Sequence, residues 1–268
     1  MENKLVTIVM EDGIAYVTLN RPEKYNALNL EMFIAIDRTI KSLKKDKSVN
    51  AVILSGAGGN FCSGLDVKSV AKSPSIAVKL LFKWLPGNAN LAQRVSIGWQ
   101  RLPIPVIAVL DGCCFGGGVQ IALGADMRIA DENAKLSIME SKWGLVPDMG
   151  GLAALRQVMP KDKALQLTYS AEVLPAPEAL EMGLVTEVSD QPHQRALELA
   201  KQFLMRSPDA NAAIKLSINN SWSASVRRLL SRESLSQIRL LAGKNRLIAA
   251  SREIKKSEKP YKSRQSWW

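Results

Sequence analysis

Histidine is almost absent from this chain, cysteine is scarce, and no apolar run is long. His193 is the only histidine among 268 residues, and cysteine occurs three times, as Cys62, Cys113 and Cys114. An odd number of thiols, two of them adjacent, reads as small core residues of a reducing compartment; it does not read as a disulfide framework or a zinc site, and no metal is expected. His193 follows Pro192 at a helix start, outside every motif, so histidine-based catalysis is not expected either. No apolar run approaches the roughly 18 to 20 residues of a membrane span, so no membrane partner is expected. The N-terminus enters a strand-like pattern at once, without a basic segment leading into a long apolar one, which speaks against a signal peptide and makes the cytoplasm the expected location. A Gly-x-Ser-x-Gly elbow, a Walker loop and a Cys/His metal cluster are all missing, which removes three common enzyme classes.

Acidic residues run short in one region only. Residues 201–268 hold 15 Lys or Arg against Asp209, Glu233, Glu253 and Glu258, whereas the first 200 residues carry 21 charges of each sign. The whole net charge of +11 therefore sits in the C-terminal quarter. It marks a solvated basic face on terminal helices, or a site for an anionic ligand such as a phosphorylated cofactor. Nucleic acid is the less favoured partner, because no aromatic-interleaved basic motif accompanies the charge. A hydrophobic content of 47% gives ample material for a core.

Two period-two runs, residues 6–10 and 14–19, flank Glu11-Asp12-Gly13 and predict a hairpin. Asn29 is placed to cap a helix with Met32, Phe33, Ile36, Ile40 and Leu43 on its apolar face. Ala51 to Leu54 reads as a buried strand that runs into a glycine-rich loop, Gly56 to Gly64. Residues 67–101, helical but less patterned and containing Pro74, Pro86 and Gly87, are the candidate for a mobile lid; Trp84, Trp99 and Trp143 stand as pocket walls or, as is more common for aromatics, as core or interface residues. A strand is predicted over residues 105–110, and beyond Gly150 the pattern is helical: a short helix from Pro175 ended by Gly183, then residues 190–205 and 211–248. Residues 255–268 read as a tail, disordered or docked on a neighbouring subunit. The succession is that of an α/β core followed by a helical part.

The segment from Pro105 to Gly151 carries the most chemistry. Gly116, Gly117 and Gly118 open a helix straight after a strand, letting the backbone approach a ligand and leaving N–H groups free at the positive end of the helix dipole. Such a place can hold a developing negative charge on oxygen. Two carboxylates follow, Glu140 and Asp148. The loop Phe61-Cys62-Ser63-Gly64-Leu65-Asp66 is a second strand-to-helix turn of the same kind. If the two turns are neighbours, the N–H groups of Leu65 and Gly117 can address one oxygen; the plainer alternative is a pair of ordinary turns that need glycine for their backbone angles.

At these residues the chain resembles the crotonase superfamily, the enoyl-CoA hydratases and isomerases. The resemblance rests on residues 20–28 (Asn20-Arg21-Pro22-Glu23-Lys24-Tyr25-Asn26-Ala27-Leu28), residues 61–66, residues 112–118 and residues 144–151, four segments in register over about residues 5–250. It implies a crotonase-like ββα spiral core over residues 1–200, followed by a basic helical trimerisation region and tail over 201–268, assembled as a trimer or hexamer. It also implies an acyl-CoA thioester substrate with its carbonyl oxygen between the N–H groups of Leu65 and Gly117. Lys24, Ser63, Gly64, Asp66 and Gly116 are the implied substrate-binding residues. No separate cofactor is implied, since coenzyme A belongs to the substrate, and its phosphates give the basic C-terminal quarter a natural role. The family's hydratases carry two glutamates; Glu140 matches one, while Gln120 stands where the other is expected, and an amide exchanges no proton near neutral pH. The resemblance therefore favours an isomerase with Glu140 as proton carrier, Asp148 as an auxiliary and Gln120 orienting a group by hydrogen bonds. A hydratase using Glu140 and Asp148, and an RNA-binding or non-catalytic homologue, are the alternatives.

Overall fold

The structure, a computed structural model, describes residues 4–70, 74–85 and 87–268. Strand β1 (Val6–Glu11) turns through Asp12 and Gly13 into β2 (Ile14–Leu19). Both turn residues have positive φ, 48° and 80°, the geometry that an Asp-Gly hairpin supplies. Helix α1 (Leu30–Lys45) begins where Asn29 accepts a hydrogen bond from the Met32 N–H, and it buries the predicted face from Met32 to Leu43. After β3 (Ala51–Gly56) come α2 (Val67–Val70), α3 (Pro74–Leu81) and α4 (Leu91–Gln100), then β4 (Val106–Leu110), β5 (Cys113–Phe115), α5 (Gly117–Ala122), β6 (Met127–Asp131) and β7 (Lys135–Ser137). Helices α6 (Gly151–Val158) and α7 (Lys161–Ser170), strand β8 (Leu174–Pro175), α8 (Ala176–Glu181) and β9 (Glu187–Ser189) lead to the terminal helices α9 (Pro192–Leu204), α10 (Pro208–Ser221), α11 (Val226–Leu241) and α12 (Lys244–Lys255).

Six strands form one sheet in the order β1-β2-β3-β4-β6-β9, parallel except for the opening hairpin; β5, β7 and β8 form a smaller sheet beside it. The large sheet is covered on both faces, which is why its central strands are uninterruptedly apolar. Val52, Leu54, Val106, Ala108 and Leu110 point into the main core with α1 and α4, while Ile53, Ile107, Val109 and Ile129 point the other way onto Ala196 and Ala200 of α9.

Two expectations are corrected here. The stretch 67–101 is not a lid throughout. Asn90 and Gln93 form a reciprocal capping box at the start of α4, which buries Ala92, Val95 and Trp99. Trp99 is thus a core residue; Trp84 stands in solvent at 87% exposure, and Pro86 lies outside the described residues. The tail, too, is docked on its own chain. Trp268 is covered by Ala212, Ala213, Leu216 and Leu240, with the Arg239 guanidinium over its ring. Its carbonyl oxygen accepts from Lys47 Nζ and from Arg264, whose guanidinium also donates to the Asp46 carbonyl oxygen. Asp209, buried in α10, accepts from the Gln265 N–H and from Asn245.

Helix α10 is fastened to the core by a buried ammonium. Lys215 Nζ lies 2.8 Å from the carbonyl oxygens of Trp99 and Ile104 and from Asp126 Oδ2. Three acceptors around one ammonium compensate its lost hydration, and removing it leaves two carbonyls and a carboxylate short of a donor. Lys215→Met is expected to lower unfolding free energy by about 2 to 3 kcal/mol in urea titrations, discounted because Asp126 retains some solvent; an unchanged midpoint would show that the ammonium contributes nothing to the fold.

Candidate active site

The two glycine-rich turns lie against each other. The chain after β3 runs alongside β5: Phe61 N–H donates to the Asp111 carbonyl, Cys62 N–H to that of Cys113, and Phe115 N–H returns to that of Cys62. On its other side the same segment pairs with Leu28, whose N–H donates to the Gly64 carbonyl and whose carbonyl accepts from Asp66. An extended backbone alternates its N–H directions, so with Gly64 and Asp66 turned to Leu28 the Leu65 N–H faces away from it. Gly117 is the first residue of α5, and its N–H belongs to the free donors of that helix end. Neither N–H donates to a protein acceptor among the described residues. A Cβ on Gly64, where φ is +92°, would stand 2.8 Å from the Phe115 carbonyl oxygen and 3.5 Å from the Gly117 nitrogen; one on Gly118 would stand 2.4 Å from the Cys62 carbonyl oxygen. Backbone meets backbone here, and only glycine permits it.

A cavity of about 390 Å³ opens beside this junction, lined by Ser63, Gly64, Leu65, Gly116 and Gly117 on one side and by Gln120, Glu140 and Asp148 on another. Phe33, Val70, Leu80, Ala92 and Val146 supply apolar wall, and Trp143 stands at the rim. The structure thus brings together all but two of the residues given catalytic, oxyanion-holding or substrate-binding roles from the sequence. Lys24 is exposed outside the lining, its carbonyl accepting from the Ser63 hydroxyl at 3.4 Å. Asp66 is held elsewhere: its carboxylate lies 2.8 Å from Arg21 and accepts from the Ser69 N–H at the start of α2. Partial burial alone would raise its pKa, but these partners outweigh that and hold it below the ordinary carboxylate value.

Glu140 opens the 3-10 turn Glu140–Trp143 after β7 and is buried. Its Oε1 accepts from Gln120 Nε2 at 2.5 Å, and Oε2 has no partner among the described residues. Gln120 has no freedom to turn over. Its Oε1 accepts from the N–H groups of Met149 (2.8 Å) and Gly151 (3.0 Å), two donors that fix the oxygen there and the NH₂ toward Glu140. A Cβ on Gly151 would stand 2.6 Å from that oxygen, so the glycine makes room for the amide. The Ser96 hydroxyl holds the Gln120 carbonyl from behind. Burial raises the pKa of Glu140, the charge of Asp148 adds to it, and the Gln120 hydrogen bond opposes it. Desolvation likewise raises Asp148, which sits at the open edge and does not cap α6; the cap position is Gly150. No cysteine stands among the described residues that line the cavity; Cys62 is fully buried with its thiol pushed up to about 12, and burial raises Cys113 and Cys114 as well. His193, exposed as expected, contacts Asp111 at 2.8 Å, away from the cavity lining.

Sequence reasoning missed the scaffold beneath the site. Asn26, fully buried, donates to the carbonyls of Ala57 and Asn60, and its own oxygen accepts from the Arg21 N–H. With the Arg21–Asp66 pair, it braces the glycine-rich loop from below. The available signal was the Asn-rich, Pro-containing segment itself.

The sequence pattern shared by the family described as enoyl-CoA hydratase/isomerase matches residues 9–246. This chain belongs to the enoyl-CoA hydratase/isomerase family. Among its relatives, the mitochondrial methylglutaconyl-CoA hydratase of Mus musculus is 32% identical over 242 residues, covering 88% of this chain and 75% of the relative. The 1,2-epoxyphenylacetyl-CoA isomerase of Escherichia coli K12 is also 32% identical, covering 79% of this chain and 80% of the relative. The crystal structure of an enoyl-CoA hydratase from Bacillus anthracis superposes with a TM-score of 0.86 at 26% identity, covering 96% of this chain and 99% of that one. Hydratases and isomerases both stand among the relatives of this acyl-CoA enzyme. Among the described residues no group of three or more His, Cys, Asp or Glu could hold a metal ion, and no helix is long and apolar enough to cross a membrane.

A raised folded-state pKa makes a definite prediction for stability. The protonated carboxyl of Glu140 is favoured by the fold, so its contribution is fully present below the ordinary glutamate value and is lost as pH rises through the raised one. Glu140→Gln, neutral throughout, is expected to raise the urea midpoint at pH 7, with the gain shrinking toward zero as the buffer is acidified below the carboxylate range. A lower midpoint at pH 7 would contradict it.

Proposed function

We propose that this enzyme moves the double bond of an enoyl-CoA thioester, with Glu140 as the proton carrier. The thioester carbonyl oxygen accepts from the N–H groups of Leu65 and Gly117. Glu140 removes a proton from the α-carbon of a 3-enoyl-CoA, the electron pair spreads into the thioester as an enolate, and the same proton returns at the γ-carbon to give the conjugated 2-enoyl-CoA. One proton leaves and one returns, so a single carboxylate suffices. Each backbone donor on the enolate oxygen contributes about 3 kcal/mol where comparable donors have been removed.

The observation that carries this reading is the pinned amide of Gln120. Its oxygen is occupied by two backbone donors and its NH₂ by Glu140, so it holds the carboxylate in place and exchanges no proton. The raised pKa of Glu140 supports the assignment, since a carboxyl that both takes and gives a proton works best nearer neutrality. A second reading, hydration by Glu140 with Asp148 as the other carboxylate, has its own support. Asp148 lines the same cavity and is electrostatically coupled to Glu140.

Mass spectrometry of a panel of 2-enoyl-, 3-enoyl- and dienoyl-CoA esters separates the two, because hydration adds the mass of water and isomerisation adds none. Conversion of a 3-enoyl-CoA without gain of mass is expected; rapid hydration by the unmodified protein would favour the second reading. Glu140→Gln is expected to lower turnover by about 100- to 10,000-fold with little change in CoA-ester binding, Asp148→Asn to give a smaller defect, and Gln120→Glu to raise hydratase activity. Near-normal turnover by Glu140→Gln would end the mechanism.

We further propose that the terminal helices assemble the protein into trimers or hexamers. Trp222, Val226, Leu230, Ile238 and Leu241 of this region are each more than half exposed, an unusual amount of apolar surface for helices that stay in water. Light scattering at micromolar concentration is expected to give a trimer or hexamer mass; a monomer alone would overturn this.

A further inference from the structure

The apolar wall of the cavity runs from dry to wet. Phe33 and Leu80 line it at 1% and 5% exposure, whereas Leu81, Trp143, Leu145 and Val146 line it at 50%, 62%, 57% and 57%. These four form two banks. Leu81 belongs to α3, which turns Ala77, Leu80 and Leu81 to the cavity at the i, i+3, i+4 spacing of one helix face. The other three belong to the segment of Glu140: Trp143 ends the 3-10 turn that Glu140 begins, and the Leu145 N–H donates to the Glu140 carbonyl at 3.0 Å. Glu140 itself stands next to the oxyanion turn, since a Cβ on Gly116 would lie 3.5 Å from its Oε1. The wet bank therefore lies on the side of the cavity where the acyl carbons meet the proton carrier.

We infer that Leu81, Trp143, Leu145 and Val146 form a rim subsite for the distal carbons of a long acyl chain, and that they set a preference for long-chain over short-chain thioesters; this rests on the acyl-CoA reading of the same cavity. At about 390 Å³ the cavity is near the lower end of the range for ligand pockets, about 300 to 1,000 Å³. The thioester and the first acyl carbons occupy it, and a longer chain leaves over the rim. Large apolar side chains held in water on both banks of a mouth mark a surface that a ligand covers. A short acyl group leaves all four in water; a long one removes their inner faces, and its own methylenes, from it. Val146 also borders the neighbouring groove of Lys83 and Arg101, whose charged heads stay hydrated beside a hydrocarbon.

Saturated, unbranched acyl-CoAs isolate chain length. A methylene buried on all sides tightens binding about fourfold, and one covered over half its surface about twofold. Calorimetric titration of the full chain with free coenzyme A and with butanoyl-, hexanoyl-, octanoyl- and dodecanoyl-CoA, kept below micelle-forming concentrations, is expected to show affinity rising along the series. Dodecanoyl-CoA is expected to bind at least about 10-fold more tightly than hexanoyl-CoA, as for several half-covered methylenes. Dodecanoyl-CoA binding no more tightly than hexanoyl-CoA would overturn the inference and leave the acyl-CoA reading standing. Hexanoyl-CoA binding no better than free coenzyme A would overturn the acyl-CoA reading itself. Leu81→Gln on one bank and Leu145→Gln on the other replace side chains that are already at least half in water, so neither asks much of the fold. Each is expected to lower the dodecanoyl-to-hexanoyl ratio by about threefold; an unchanged ratio in both would remove the rim from chain-length selection.

Discussion

Two peptide turns in direct contact govern the geometry around the cavity. Where Gly118 meets the Cys62 carbonyl and Gly64 meets that of Phe115, there is no space for even a methyl group. Any side chain there pushes the end of α5 away from the loop that follows β3 and moves the Gly117 N–H relative to that of Leu65. The contact is supported from both sides. The ladder from Phe61 to Phe115 joins loop to small sheet, and Asn26 with the Arg21–Asp66 pair supports the loop from beneath. These polar groups are largely screened from solvent, where satisfied networks rigidify and partly satisfied ones do not. A site whose donors are backbone atoms depends on such bracing, since no rotamer change can restore a misplaced peptide.

The carboxylate is held by a different logic. Glu140 has one oxygen committed to Gln120 and the other unpaired among the described residues, an arrangement that opposes stability. Orientation comes from the amide, and the amide takes its own from two N–H groups at the entry to α6. The direction of one hydrogen bond in the site is thereby set by a helix start some thirty residues further along the chain. Gly151 belongs to this machinery although it touches no substrate atom in the proposed reaction.

What could be read from the sequence was local. The Asp-Gly hairpin, the Asn29 cap, the apolar face of α1 and the glycine turns at 64 and 116–118 each rest on a rule that acts within a few residues, and each stands where expected. The misreadings all involve distant partners. The stretch read as a lid showed little periodicity because α4 packs against α1, α3 and α5, so apolar residues fall on more than one side. The carboxylate of Asp66 pairs with Arg21, a cation 45 positions away that its motif position did not point to. The tail was assigned to a neighbour or to disorder since its composition is polar, whereas its burial rests on Trp268 finding Ala212 and Ala213. Gln120 was visible as an amide; that its two ends are differently occupied followed only from the fold.

The clasp that closes on Trp268 ties the order of synthesis to the order of folding. Lys47 and Trp268 are 221 positions apart, and Lys215 reaches back 116 positions to Trp99. On a ribosome the large sheet can begin to form while these partners are still unmade, but the carbonyls of Trp99 and Ile104 must wait for the ammonium that will satisfy them. During that interval the emerging chain carries an open apolar face and unpaired polar groups together, the condition in which long-range topologies are most exposed to misassembly and most dependent on chaperones.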